Sequence, residues 1–416
     1  MSGLLGSVQV KRTARGPIGP GRVVDGGGGC RSEHRQPDMV IRMKQPLPAR
    51  PGHICVLRLS ALGDVCNLVP TVRALARRWP EARITWIVGK AEYSLLSGLD
   101  GVELVVYDKA TGFKGMRALW QSLGDTRFDL LLHMQQSLRA SILSLGLKTR
   151  VRIGYDSERS KDWQTWFTNR RIAPHPHAHV LESFMDFAVA LGLDAEQELS
   201  RLRWDLAIPA AAEAEAEGLL AGRRALVISP CANPRLRNFR NWSAEGYAAV
   251  IEHAWRRHGL TGFLTGGTST AEREMVARIQ TLCAHLGEGA PVDLLGRTSL
   301  KGLLALIARA RVLIAPDSGP VHMANALGTP VVGLYATTNP ERAAPYLWRD
   351  YVVNRYPDAV RTFMHKSPDQ ISWGARVRHP DAMALITSEE VCAQLDRLIF
   401  DTAATSSRSS ENPREA

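Results

Sequence analysis

From residue 53 onward, short apolar runs alternate with segments of helical spacing, and the alternation restarts near residue 225. That pattern restricts the chain to α/β architectures built on parallel sheets covered on both faces. The first series of runs is Ile54 to Leu59, Arg83 to Val88, Val102 to Val106 and Asp129 to Leu132. The second is Ala225 to Ser229, Gly262 to Thr265, Val292 to Leu294, Val312 to Ala315 and Val331 to Tyr335. Between them, the Ala/Glu-rich stretch Leu206 to Gly222, entered through Pro209, marks the passage from one half to the other. A chain of 416 residues exceeds one ordinary core and suits two domains.

Residues 1–52 carry four consecutive glycines, Gly26 to Gly29, several prolines and no hydrophobic period, so they predict a disordered leader. Met39 and Met43 leave two explanations open, a misassigned translation start and a real flexible extension. The polar, Ser-rich residues 402–416 are expected to be mobile as well. More than half of the net charge of +11 sits in the leader, which has nine Lys and Arg against three Asp and Glu. A milder basic excess on the body suits either a handler of anionic substrates at a membrane surface or ordinary solvated charge. No apolar run is long enough to span a bilayer, and the amino terminus lacks the apolar centre of a signal peptide, so a cytoplasmic protein is expected. The six cysteines show no C-x-x-C spacing, which indicates neither a disulfide scaffold nor a cysteine zinc site.

Chemistry concentrates in the turns that leave the strands, because ligands of doubly wound sheets bind in the crevice above the strands' carboxyl ends. The turn Ser60 to Asp64 delivers a carboxylate to a helix start, where it is either an N-cap or a catalytic base. Asp317-Ser318-Gly319 opens a second helix, whose first N–H groups and positive end suit a phosphate. The loop Cys231 to Asn241 carries Arg235, Arg237 and Arg240, either as solvated charge or as a phosphate clamp. Gly266-Gly267 with Glu272 reads as a close approach for a nucleoside, or as a turn and an acidic helix start. His175-Pro176-His177-Ala178-His179 lacks carboxylate or cysteine partners and reads as a loop rather than a metal site.

Two of these segments carry a resemblance. The stretch Arg58 to Val65 is similar to the amino-terminal signature of the lipopolysaccharide heptosyltransferases, glycosyltransferase family 9, and Ala315 to Asn325 resembles a second signature of that family. Arg152 to Tyr155, Asn169 to Arg171 and Gly266-Gly267 with Glu272 fall between them in family order, so the likeness runs from about residue 53 to 400. It implies the GT-B fold, two Rossmann-like domains facing across a cleft. Residues 53–208 would form the acceptor domain, 209–386 the nucleotide-sugar domain, and 387–401 a helix returning to the first domain. It further implies Asp64 as the base, and Arg240, Glu272, Asp317, Ser318, Gly319 and His322 as donor-binding residues. Arg240 aligns with a basic residue that is often Lys in the family.

The implied reaction is metal-independent, inverting transfer of heptose from ADP-heptose to a lipid A–Kdo type acceptor of the inner core, with no cofactor and with peripheral contact at the inner membrane. Ser60, Gly63, Gln135, Arg139 and Arg152 are the acceptor-side candidates, together with Arg171. His133 and Gln136 stand where the family often has Asp and Gly, so acceptor identity is open. Three rivals are weighed: a family member with another nucleotide-sugar donor, a nucleotide-sugar epimerase of the same fold, and a nucleic-acid binder. The last lacks both a recognisable module and interleaved aromatics.

Overall fold

A computed structural model describes residues 46–232 and 238–411. It contains two six-stranded sheets in which every described strand pairing is parallel. The first comprises β1 (His53–Leu57), β2 (Arg83–Gly89), β3 (Val102–Tyr107), β4 (Arg127–His133), β5 (Lys148–Gly154) and β6 (Arg170–Arg171), in the order β3-β2-β1-β4-β5-β6. The second comprises β7 (Ala225–Ile228), β8 (Thr261–Leu264), β9 (Val292–Asp293), β10 (Val312–Pro316), β11 (Val331–Tyr335) and β12 (Val353–Asn354), in the order β12-β11-β10-β7-β8-β9. Each half thus repeats one doubly wound order, with its switch point between β1 and β4 or between β7 and β10. This is the expected α/β GT-B architecture.

The inner strands are apolar throughout because helices cover both faces. Ile54 to Leu57 and Ala225 to Ile228 are almost completely buried. The strands absent from the sequence reading are β5, β6 and β12, all toward sheet edges. In β5 the sequence Lys-Thr-Arg-Val-Arg-Ile-Gly alternates exposed and buried positions, so its basic residues mask the apolar period.

Three expectations about the chain's ends change. Of the expected leader, residues 1–45 lie outside the described residues, but Pro51 is buried and the Gly52 and His53 N–H groups donate to the Asp129 carboxylate at 2.7 and 3.0 Å. Order therefore begins before residue 53, as a charge-assisted clamp at the start of β1. The terminal helix Ser388–Glu411 does not return to the first half. Its apolar stripe, Val391, Leu395 and Leu398, is fully buried in the same core as Val250, Ile251 and Ala254 of the helix Ala244–His258. The expected mobile tail is helical through Glu411, and only 412–416 lie outside the described residues.

Leu395→Ala should cost about 2–5 kcal/mol, the usual range for a buried leucine. Urea denaturation checks it, and a loss below about 0.5 kcal/mol, as at a surface position, would show that the helix does not seal this core.

Candidate active site

The two switch points face each other. The helix Leu62–Arg78, which follows β1, meets the helix Gly319–Leu327, which follows β10, and Val65, Val69, Val321 and Ala324 share one buried core. A Cβ on Gly63 would lie 2.4 Å from Cδ2 of His322, so only glycine allows this approach. The His322 Nδ1 also lies 3.3 Å from the Asn67 amide nitrogen. At Gly319, across the same junction, a Cβ would meet Leu62 at an ordinary 3.4 Å.

Around this junction lies a cleft of about 600 Å³, lined by Ser60, Gly63 and Asp64 from the first half and by Arg240, Asp317, Ser318, Gly319 and His322 from the second. Asp64 sits in the first turn of its helix and reaches back, its Oδ2 accepting from the Ala61 N–H at 2.9 Å and pairing with the Arg58 guanidinium at 2.6 Å. Withdrawal from water pushes the Asp64 carboxyl up, but Arg58, the Ala61 N–H and His322 together bring it below its ordinary value. Arg58 is itself fixed by donating to the Met134 carbonyl at 2.6 Å. The carboxylate is therefore ionised and held at the helix start, capping and facing the cleft at once.

Asp317 does not cap its helix. Its Oδ2 accepts from the Thr338 hydroxyl at 3.0 Å and lies 3.6 Å from Arg240, while its Oδ1 lies 3.9 Å from His322. Burial pushes this carboxyl up, but the charges of His322, Arg240 and Arg376 outweigh it and hold it at about 2. Arg240 donates to the Asp317 carbonyl at 2.8 Å and is braced by the Asn238 side chain at 3.2 Å. Arg235 and Arg237 lie outside the described residues. At the helix start, Ser318 makes no capping bond, and its buried hydroxyl has no hydrogen-bond partner. An uncapped helix start beside a guanidinium is an anion site by construction.

The other candidates are placed differently. Glu272 lies outside the lining of the cleft. It closes a capping box, accepting from the Gly267 N–H at 2.7 Å and from the Ser269 N–H and hydroxyl at 3.0 and 2.6 Å. Gln135 accepts from the Leu59 and Ser60 N–H groups at 3.0 and 3.2 Å and so shapes the Ser60 turn from behind. Arg152 does not line the cleft; it donates to the carbonyls of Ser144, in the last turn of the helix Leu138–Leu145, and of Leu147, just past it. Arg139 is exposed and donates to the Lys109 carbonyl at 3.3 Å. Arg171 lines a separate surface groove. His179 caps the helix Val180–Val189 and meets the Ala344 carbonyl at 2.9 Å across the halves, with burial and Arg349 lowering it to about 3.

Several residues escaped the sequence reading. A second cavity of about 470 Å³ shares Asp64, Val180 and Arg342 with the first and is lined also by Arg58, Lys161 and Trp373. Glu92 faces the first cavity from the helix after β2, with its carboxyl pushed up by burial. It follows a strand's carboxyl end just as Asp64 does, a signal that could have revealed it.

With this geometry in hand, the comparisons are specific. The model of glycosyltransferase family 9 (heptosyltransferase) matches residues 116–367. The lipopolysaccharide core heptosyltransferase OpsX of Haemophilus influenzae is 39% identical over 84% of this chain and 97% of its own length. The chain belongs to glycosyltransferase family 9. Among solved structures, the family 9 glycosyl transferase of Veillonella parvula matches with a TM-score of 0.66 at 20% identity, covering 84% of this chain and 97% of that one. The E. coli ADP-heptose lps heptosyltransferase II matches at 0.64 and 21%, covering 84% and 99%. Both likenesses are of fold. The family 9 match includes Arg240, Asp317 and His322 and begins downstream of Asp64.

Asp64, depressed in the folded chain, contributes stability above the ordinary unfolded carboxylate value of about 3.9 and loses it as pH falls through its lower folded value. In Arg58→Met its titration should move to higher pH, with Arg58→Lys in between, as followed by carboxyl carbon NMR on aspartate-labelled protein. An unmoved Asp64 would remove Arg58 as its counterion.

Proposed function

We propose that this glycosyltransferase moves heptose from ADP-heptose to the lipopolysaccharide inner core, by inversion and with Asp64 as the base. The observation that carries the reading is the meeting of two cavities at Asp64, one bordered by the uncapped helix start and Arg240, the other by Arg58, Lys161 and Arg342. The relatives named OpsX and heptosyltransferase II supply the sugar and the acceptor class.

In this reading the donor diphosphate lies against Ser318, Gly319 and Arg240. The Ser318 hydroxyl gains the partner it lacks, and the guanidinium neutralises charge as the sugar–phosphate bond breaks. Asp317 holds Arg240 and His322 in place and is kept off the phosphate by its own bond to Thr338. The acceptor hydroxyl enters from the second cavity, loses its proton to Asp64 and attacks the anomeric carbon from the face opposite the diphosphate. Ionisation of Asp64 at neutral pH is what this step needs. Its low affinity for a proton is offset as the hydroxyl becomes acidic during attack. Glu272 fixes the Gly266-Gly267 turn through the Gly267 N–H, and in this reading the turn serves the nucleoside end of the donor, outside the cleft's own lining.

Asp64→Asn keeps the volume and can still accept the Ala61 N–H through its side-chain oxygen. Turnover should fall by about 100-fold or more, with ADP affinity near that of the wild type. Retained turnover at saturating acceptor would overturn the assignment.

Contact with the inner membrane is supported by the first half's surface. Trp163 and Trp166 are 66% and 71% exposed, and Trp163 shares a groove with Leu138, Lys161 and Arg171. Asp162, the nearest acid, points its carboxylate at the Leu138 N–H. Exposed indoles, one of them in a groove with Lys161 and Arg171, fit the interface of an anionic bilayer, and Lys161 also lines the acceptor cavity. Among the described residues no helix is long and apolar enough to cross a membrane. Wild-type protein should cosediment with phosphatidylglycerol vesicles more than with phosphatidylcholine vesicles, and Trp163→Ala/Trp166→Ala should lose most of that binding. Equal cosedimentation of the double variant would move the contact elsewhere.

A further inference from the structure

We propose that His253, His258 and Asp396 form a zinc(II) site on the second half, on the face of the helix Ala244–His258 that receives the terminal helix. Nε2 of His253 and Nε2 of His258 lie 2.8 and 2.6 Å from the same oxygen, Oδ1 of Asp396. All three ligand atoms lie within 4.8 Å of one another, and this is the one such cluster among the described residues. The residues come from two helices, with His258 closing the helix Ala244–His258 and Asp396 on the helix Ser388–Glu411.

The donor set fits zinc. Two imidazole nitrogens and one carboxylate oxygen are a borderline-soft set that suits Zn(II) over magnesium or calcium, which take oxygen ligands. With zinc–ligand bonds of about 2.0–2.1 Å, neighbouring donors in a tetrahedron lie about 3.3 Å apart. The imidazoles of His253 and His258 therefore need to withdraw from Oδ1 by about 0.5 and 0.7 Å, within reach of rotamer adjustment. The side chains are 28%, 15% and 29% exposed, which leaves a fourth position open to water.

The carboxylate is oriented for the site. Asp396 is anchored through its other oxygen, Oδ2, by the Arg257 Nε at 3.1 Å, which leaves Oδ1 facing the histidines. His258 is the last residue of its helix, whose negative dipole end attracts positive charge and already draws Arg224 to the His258 carbonyl at 2.9 Å. Bound there, zinc would link the two helices at a point outside the apolar stripe of Val391, Leu395 and Leu398.

The test uses the full chain without a histidine tag, stripped with chelator, and titrated with zinc chloride by calorimetry. Thermal melting with and without zinc, and visible absorption with cobalt(II), complete it. Wild-type protein should take up one zinc ion with a rise in melting temperature and give a tetrahedral cobalt spectrum. His253→Gln and Asp396→Asn, which keep hydrogen-bonding side chains, should bind at least about tenfold more weakly while melting in chelator near the wild-type temperature. Cys392→Ser, one turn before Asp396, should bind as the wild type does. No uptake, equal uptake by the variants, or uptake that disappears with Cys392 would overturn the site and leave Asp396 as a hydrogen-bond acceptor for two histidines.

Discussion

The imidazole of His322 lies directly over the backbone of Gly63, with no room between them for a methyl group. The arrangement of the cleft depends on that contact. It sets the amino ends of two helices side by side, each the first helix after a central strand at a switch point. Two positive helix ends that meet repel each other and attract anions. The protein supplies one anion on each side, Asp64 and Asp317, and gives each its own arginine. The result is two carboxylate–guanidinium pairs across one cavity, with the Ser318 helix start left uncapped for a ligand.

The pairs do different work because their surroundings differ. Asp317 is nearly enclosed, with Thr338, Arg240 and His322 around it, so its charge is spent on positioning. Asp64 keeps 32% of its side chain exposed to the cleft, enough for an incoming hydroxyl to reach it. Arg58 and the Ala61 N–H hold that carboxylate below its ordinary value against the opposing push of burial. For the proposed base, this pairing lowers proton affinity and favours the ionised form that accepts a proton. Glu92, without an equivalent partner, goes the other way and is pushed up. The two carboxyls on one cleft wall thus shift in opposite directions, Asp64 down through its arginine and Glu92 up through burial.

What could be read in the sequence follows from how local each feature is. The strand–turn–helix units around Asp64 and Asp317 are contiguous, so their place at the strand ends was legible. So was the doubling of the fold, because inner parallel strands are short unbroken apolar runs. Long-range pairing was not legible. Arg58 stands inside the very motif that announced Asp64, yet its bond to Asp64 depends on a backward turn of the chain. Glu272 and Arg152 were given functional roles from family order, and the sequence did not show that Glu272 would also brace its own turn or that Arg152, on β5, would bond carbonyls at the end of the preceding helix. The terminal helix went to the wrong half because its apolar stripe fits any apolar face, and only the packing against Val250, Ile251 and Ala254 decides which.

The shared lining of the two cavities bears on how donor and acceptor can both be accommodated. Asp64, Val180 and Arg342 border both spaces, and Arg342 comes from the second half while the other two come from the first. The wall between the cavities is therefore built jointly, and it exists only while the halves are apposed. Trp373 reinforces the closure by donating its indole N–H to the Ala178 carbonyl at 2.9 Å and packing its ring against His177. His179 does the same through the Ala344 carbonyl. Lys161 lines both the second cavity and the groove that carries Trp163. Under the proposed reaction and membrane contact, it would lie between Asp64 and the bilayer, in a different cavity from Arg240.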